Sequence, residues 1–254
     1  MQIQLIRSAT LVVSFAGHTF LVDPMLGPAG STDPIENTPN PRRNPLVELP
    51  FDAQTLDDLL AWIDAVLVTH THRDHWDPAA IEVLPKGIPI LCQPDDEARI
   101  RTDGFAKVLP VDARLMWRDI ELIRTGGRHG TGAIGRQMAP VSGFALRAAG
   151  KGTRYIAGDT IFCPEFEEAL LKYRPDVTVV NAGAARFLIG EPIVMTVEDV
   201  VRVCRTLPTT LLIAVHSEAL NHCPLTRNEL REKLREEGLL SRVEVPEDGA
   251  RQFL

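Results

Sequence analysis

The 254-residue chain contains no run of about 20 apolar residues, so no stretch is suited to cross a bilayer as a helix. Cysteine is sparse. Cys92, Cys163, Cys204 and Cys223 lie far apart and form no C-x-x-C pair. That spacing argues against a cysteine zinc site and fits reduced, buried thiols in a cytoplasmic protein. Positive charge is in deficit, with 27 Lys and Arg against 34 Asp and Glu and a net charge of −7. A broad nucleic-acid surface needs clustered cations and is not expected. A local site for a small anion is still compatible. The opening "MQIQLIRSATLVVSF" lacks the small-residue cleavage site of an export signal and reads as strands. The chain also lacks internal repeats and low-complexity tracts. At this length it buries roughly three quarters of its unfolded surface and needs no staple to fold. Any metal would therefore serve chemistry.

Strand-like pieces come first: "IQLI", "TLVVSF" and "TFLVDP", with a tight turn at Ala16–Gly17–His18. Residues 24–50 then hold seven prolines. An irregular stretch this long is expected to be either a functional cover or disordered. Beyond it, strand and helix alternate. Helices are expected over 55–62, 78–84, 94–101, 164–173, 196–206 and 226–237. Thr55/Asp58, Thr196/Asp199 and Thr226/Glu229 are read as their capping pairs where an N-cap hydroxyl precedes an acid by three. Strands are expected at "DAVLVTH", "IPIL", residues 106–111, 119–124 and 142–147, "TRYIAGD", "DVTVV" and "TLLIAVH", with "RVEV" closing the chain. Each half is strand-rich and then alternates strand with helix. The expected packing is an α/β sandwich of two mixed β-sheets with helices on the outer faces, built as one domain over 1–254.

Histidine is also scarce, at seven residues, yet three stand within six positions. "VLVTHTHRDHW" places His70, His72, Asp74 and His75 directly after an apolar strand. Alternate residues of an extended strand share a face, so His70 and His72 can reach one point. Asp74 and His75 follow as the chain turns toward Pro78. Three imidazoles packed together without a metal would cost stability on protonation. Neutral imidazole and carboxylate are the donors of a catalytic zinc site. Other strands end in the same residue types: "FLVDP" at Asp23, "RYIAGD" at Asp159 and "LLIAVH" at His216. Sites form beyond the ends of such strands.

The pattern H-x-H-x-D-H after an apolar strand resembles the signature of the metallo-β-lactamase superfamily. The resemblance extends in the family's order through Asp23 in "LVDP", His129 in "GGRHG", Asp159 in "AGDT" and His216 in "AVHSEA". It implies an αββα sandwich with metals between the sheet edges. It also implies two divalent ions, zinc first and manganese or iron as alternatives. The first ion would take His70, His72 and His129, and the second Asp74, His75 and His216. Asp159 would bridge them, and Asp23 would hold the histidine loop by hydrogen bonds. The implied chemistry is hydrolysis by a hydroxide shared between the ions, with Asp74 orienting it. "GHTFLVDP" resembles the stand-alone lactonase and phosphodiesterase branch, so the expected substrate is a small-molecule lactone, ester or phosphodiester. A metal-binding sensor without turnover and an iron redox enzyme are the alternatives.

The remaining candidates are weaker. His222, six residues past His216, is read as a substrate contact or proton donor. Arg128, Arg186 and Asn181 are read as possible substrate residues, with Arg136 a further cation nearby. His18 is expected to have no part in the chemistry, and Trp76 to pack in the core. Homo-oligomer formation stays open, with residues 24–50 available for subunit contact.

Overall fold

The computed structural model describes residues 2–138 and 140–253. The first sheet contains β1 (Gln2–Arg7), β2 (Thr10–Phe15), β3 (His18–Val22), β4 (Ala65–Val68), β5 (Ile90–Cys92) and β6 (Val108–Pro110). The second contains β7 (Arg114–Trp117), β8 (Ile120–Gly126), β9 (Ser142–Arg147), β10 (Arg154–Ile156), β11 (Val177–Asn181), β12 (Leu211–Val215) and β13 (Val243–Glu244). The last strand, β14 (Arg251–Phe253), returns to the first sheet. Strand order is β14-β1-β2-β3-β4-β5-β6 and β13-β12-β11-β10-β9-β8-β7. In each sheet an antiparallel meander passes into parallel strands, at β3–β4 and at β10–β11.

The parallel connections carry the helices, as crossover geometry requires. They are α1 (Ala53–Leu60), α2 (Pro78–Val83) and α3 (Glu97–Thr102) on the first sheet. On the second they are α5 (Pro164–Tyr173), α6 (Val197–Thr206) and α7 (Arg227–Glu236). A short α4 (Gly132–Gln137) follows β8. Strand alternation divides the apolar side chains between layers. Ala65 and Leu67 of β4 pack between the sheets with Phe20, Leu122, Phe144 and Val179. Val66 and Val68 face the helical side with Trp76, Ile100 and Phe105. A third cluster, with Phe166, Val200 and Leu230, lies under α5, α6 and α7. This is the expected α/β sandwich, and Trp76 is core. No helix of the described residues is long and apolar enough to cross a membrane.

Several local expectations change. The α1 cap is Asp52, whose side chain accepts from Thr55 N, while Asp58 accepts from Gln54 Nε2 at 3.0 Å. The Thr196–Asp199 and Thr226–Glu229 boxes form as expected. The glycine-containing α4 has little intrinsic helix propensity and was not expected. The chain does not close on "RVEV", which contributes only β13. β14 pairs antiparallel with β1, Gln2 opposite Phe253.

Residues 24–50 are irregular but tied down. Arg7 is fully buried and donates to the carbonyls of Met25 at 2.8 Å, Gly27 at 2.7 Å and Val47 at 2.9 Å. Asp77, the α2 cap, accepts from Gly27 N at 2.7 Å. Asn221 accepts from Ile35 N and Asn44 Nδ2, and donates to Ile35 O, Thr38 Oγ1 and Asn40 O. The stretch is therefore a pinned cover. Some of its backbone polar groups pair within the stretch, as at Thr32 and Asn44, and others with partners distant in sequence.

Candidate metal centre

The donors converge where strands of both sheets end. The turn after β4 brings His70, His72, Asp74 and His75. The segments after β8, β10 and β12 bring His129, Asp159 and His216. One group of donor atoms is His70, His72 and His129, and the other is Asp74, His75, Asp159 and His216. Within each group the atoms lie within 4.8 Å of one another. Asp159 Oδ2 stands between the groups, 3.3 Å from His75 Nε2, 3.5 Å from His129 Nε2 and 4.0 Å from His70 Nε2.

Local backbone makes the convergence possible. Asp23 and His216 hold φ of 44° and 70°, a region non-glycine residues seldom adopt. The surroundings enforce it: Asp23 N donates to Leu67 O at 3.0 Å, and His216 N to Ser8 O at 3.0 Å. Gly158, just before Asp159, has φ 67°, and a Cβ there would lie 2.8 Å from Ser142 O. At Gly183 a Cβ would lie 2.1 Å from His216 O, so only glycine lets these chains approach.

Neighbouring hydrogen bonds set the tautomers. Asp23 accepts from Thr69 N at 2.7 Å, Thr69 Oγ1 at 2.7 Å and His75 Nδ1 at 2.8 Å. Thr69 Oγ1 spends its proton on Asp23, so it accepts from His70 Nδ1 at 3.1 Å. His129 Nδ1 donates to Ile193 O at 2.8 Å. In His70 and His129 the Nε2 lone pair is left for a cation, and in His75 Nε2 is the position where a cation would replace a proton. His75 Nε2 is buried without a hydrogen-bond partner. Cys223 Sγ lies 3.4 Å from His216 Nδ1.

Electrostatics agree. Burial, with His75 nearby, pushes His70 well below the usual imidazole range, and burial lowers His72 as well. These are ligand-ready neutral rings. Burial opposes charge on His75 and His216, yet Asp159 foremost outweighs it and raises both well above the usual range. Burial likewise opposes ionisation of Asp74 and Asp159, and His75 foremost holds both well below the carboxylate range. The cage thus balances buried anions with protons that a divalent cation would displace. The donor set, the buried orphan nitrogen and the tautomers all fit such an ion.

The donors open on a cavity of about 230 Å³. His72, Asp74, His129 and Asp159 form one wall, beside His222. Ile35, Met138, Phe187 and Ile193 form the apolar part, and Arg73 stands at the edge. A larger cleft of about 610 Å³, between the turns at Ala16–Gly17 and Ala148–Lys151, touches none of these donors.

The other expected residues divide. His222 lines the cavity, and burial pushes its ring down to about 4. Asn181 does not line it; its Nδ2 donates to Asp159 Oδ1 at 2.6 Å and orients that carboxylate. Arg128 is held by Glu165 at 2.7 Å and lines a neighbouring cleft with Arg136. Arg186 is exposed, and its backbone N donates to His222 O at 2.9 Å. His18 lies outside the site, 2.7 Å from Asp119. Sequence reasoning passed over Thr69, Arg73, Asn221 and the apolar wall. Arg73 sits inside the histidine motif and Asn221 beside His222, so their positions were the available signal.

A family model described as a beta-lactamase superfamily domain matches residues 18–217. The UPF0173 protein YddR of Bacillus subtilis (strain 168) is 37% identical over 252 residues, 98% of each chain. The crystal structure of an isothiocyanate hydrolase from Delia radicum gut bacteria is 37% identical, with a TM-score of 0.94 over 100% of this chain and 99% of that one. A possible metal-dependent hydrolase from Veillonella parvula DSM 2008 is 36% identical, with a TM-score of 0.95 over the same shares. Sandwich, donor set and relatives matched along the whole chain converge, and the chain belongs to the metallo-β-lactamase superfamily.

Proposed function

We propose that this protein hydrolyses a small molecule at an electrophilic carbon bearing an apolar substituent. A lactone, an ester or an isothiocyanate has that character. The observation that carries this reading is a cavity of about 230 Å³ with ligand donors on one wall and Ile35, Met138, Phe187 and Ile193 on others. The 37% identity to an isothiocyanate hydrolase supports a carbon electrophile.

His70, His72 and His129 would hold one divalent ion, and Asp74, His75 and His216 a second, with Asp159 between them. Zinc suits the donors best, and manganese or iron would also be accepted. Bound ions would supply Lewis acidity and bring the pKa of water from 15.7 to about 7. Asp74 reaches the cavity with its carboxylate ionised, so it can accept a hydrogen bond from a water and orient it. His222, neutral at pH 7, can donate its ring N–H to the substrate heteroatom. The apolar wall orients the substituent and limits water. One domain carries all of these parts, and four buried free thiols support a reducing, cytoplasmic setting.

The test is turnover by metal-loaded protein against lactones, thioesters, phenyl isothiocyanate and bis(p-nitrophenyl) phosphate. Carbon electrophiles should react, and His70→Ala or Asp159→Ala should abolish turnover while leaving the circular-dichroism spectrum native. Fully metallated protein inert to every carbon electrophile would defeat the reading.

A further inference from the structure

Two large aliphatic side chains, Leu188 and Ile189, are 65% and 84% exposed in the loop between β11 and α6. They directly follow Phe187, which lines the cavity. Backbone contacts hold the tip against segments of the cavity wall. Leu188 N donates to Asn37 O of the cover at 2.7 Å. On the other side Ile134 of α4 packs on the Gly190 backbone, where an added Cβ would lie 2.3 Å from its Cδ1. The cover and α4 also send Ile35 and Met138 into the cavity wall. The same three segments, the cover, α4 and this loop, each send an apolar side chain into the cavity wall and meet at the tip. Exposed Arg186 and Glu191 flank it. Contiguous exposed apolar surface with a polar margin marks a place where something apolar binds.

We infer that the tip is an outer subsite for an alkyl chain, and that the substrate's apolar substituent extends out of the cavity across Leu188 and Ile189. The inference rests on the hydrolytic reading of the same cavity. Its argument is adjacency: Leu188 and Ile189 directly follow Phe187 of the cavity wall, on a tip held by the cover and α4. A cavity of about 230 Å³ encloses a reactive head group and a short substituent. Longer chains must leave by the entrance, where the exposed tip is the surface they meet.

The experiment uses metal-loaded full-length protein and n-alkyl isothiocyanates from ethyl to decyl. A buried methylene is worth about fourfold, and one on a half-exposed rim about twofold. Wild type should gain about twofold in kcat/KM per methylene beyond butyl. In the Leu188→Ser/Ile189→Ser protein the decyl-to-butyl ratio should collapse toward one. Displacement of N-phenyl-1-naphthylamine by n-alkanols should show the same dependence without turnover. If no isothiocyanate reacts, the hydrolytic reading loses support, while the alkanol displacement still decides the rim. Equal chain-length slopes in both proteins, or a flat wild-type series beyond butyl, would overturn the inference. So would sedimentation showing that the double substitution turns a dimer into a monomer, because the tip would then seat a second copy of the chain.

Discussion

The two oxygens of Asp23 divide three donors: the Thr69 backbone, the Thr69 hydroxyl and the His75 ring. An amide in its place keeps the shape but turns one acceptor into a donor. Either Thr69 N or the pair of Thr69 Oγ1 and His75 Nδ1 would then face an N–H group. Asp23→Asn should therefore lower metal affinity about 10- to 100-fold while the fold persists. Competition with a chromophoric chelator measures this, and an affinity within about twofold of wild type would contradict it. Asn181 shows the limit of reading single residues. Its place at a strand end was visible, but not that its amide would face Asp159 rather than the cavity.

Among the elements, the pinned cover depends on residues that follow His216 in sequence. Asn221 bonds Ile35 on both its backbone N and O, and Ile35 lines the cavity. Asn221→Ala leaves Ile35 N without its partner, while Ile35 O keeps Thr38 Oγ1, at a cost of about 1 kcal/mol for the half-buried donor. The variant should speed tryptic cleavage after the already exposed Arg42 and Arg43 and raise KM more than it lowers kcat. Limited proteolysis with mass spectrometry checks the first, and steady-state kinetics the second. Resistance equal to wild type would show that the cover is held without Asn221. The capping boxes at Thr196 and Thr226 were legible because both partners lie within four residues. β14 was not, because its pairing joins the two ends of the chain. α4 was not, because Gly132 and Gly135 mask it.

For the whole molecule, the donors come from both sheets. The turn after β4 belongs to the first, and His129, Asp159 and His216 to the second. A bound ion would therefore tie the two layers at one edge. Ligation at a thousandfold over Kd adds about 4 kcal/mol to stability. For a domain of 150–250 residues each kcal/mol moves Tm by about 2–4 °C. Chelation should therefore lower Tm on the order of 10 °C while the far-ultraviolet circular dichroism stays native. Calorimetry with and without EDTA checks this. Loss of the fold on chelation would mean that the ions are structural, against the large apolar cores built without them.

By itself the sequence determined the alternation of strand and helix, the sandwich it implies and the donor residues at strand ends. These are written in local periodicity and in one compact motif, where neighbours in the chain are neighbours in space. The tertiary structure alone decided which side chains line the cavity. Ile35, Arg73, Met138, Phe187, Ile193 and His222 come from separate segments, and no local pattern encodes their meeting. It also decided that residues 24–50 are ordered, because Arg7 and Asn221, distant in sequence, hold them.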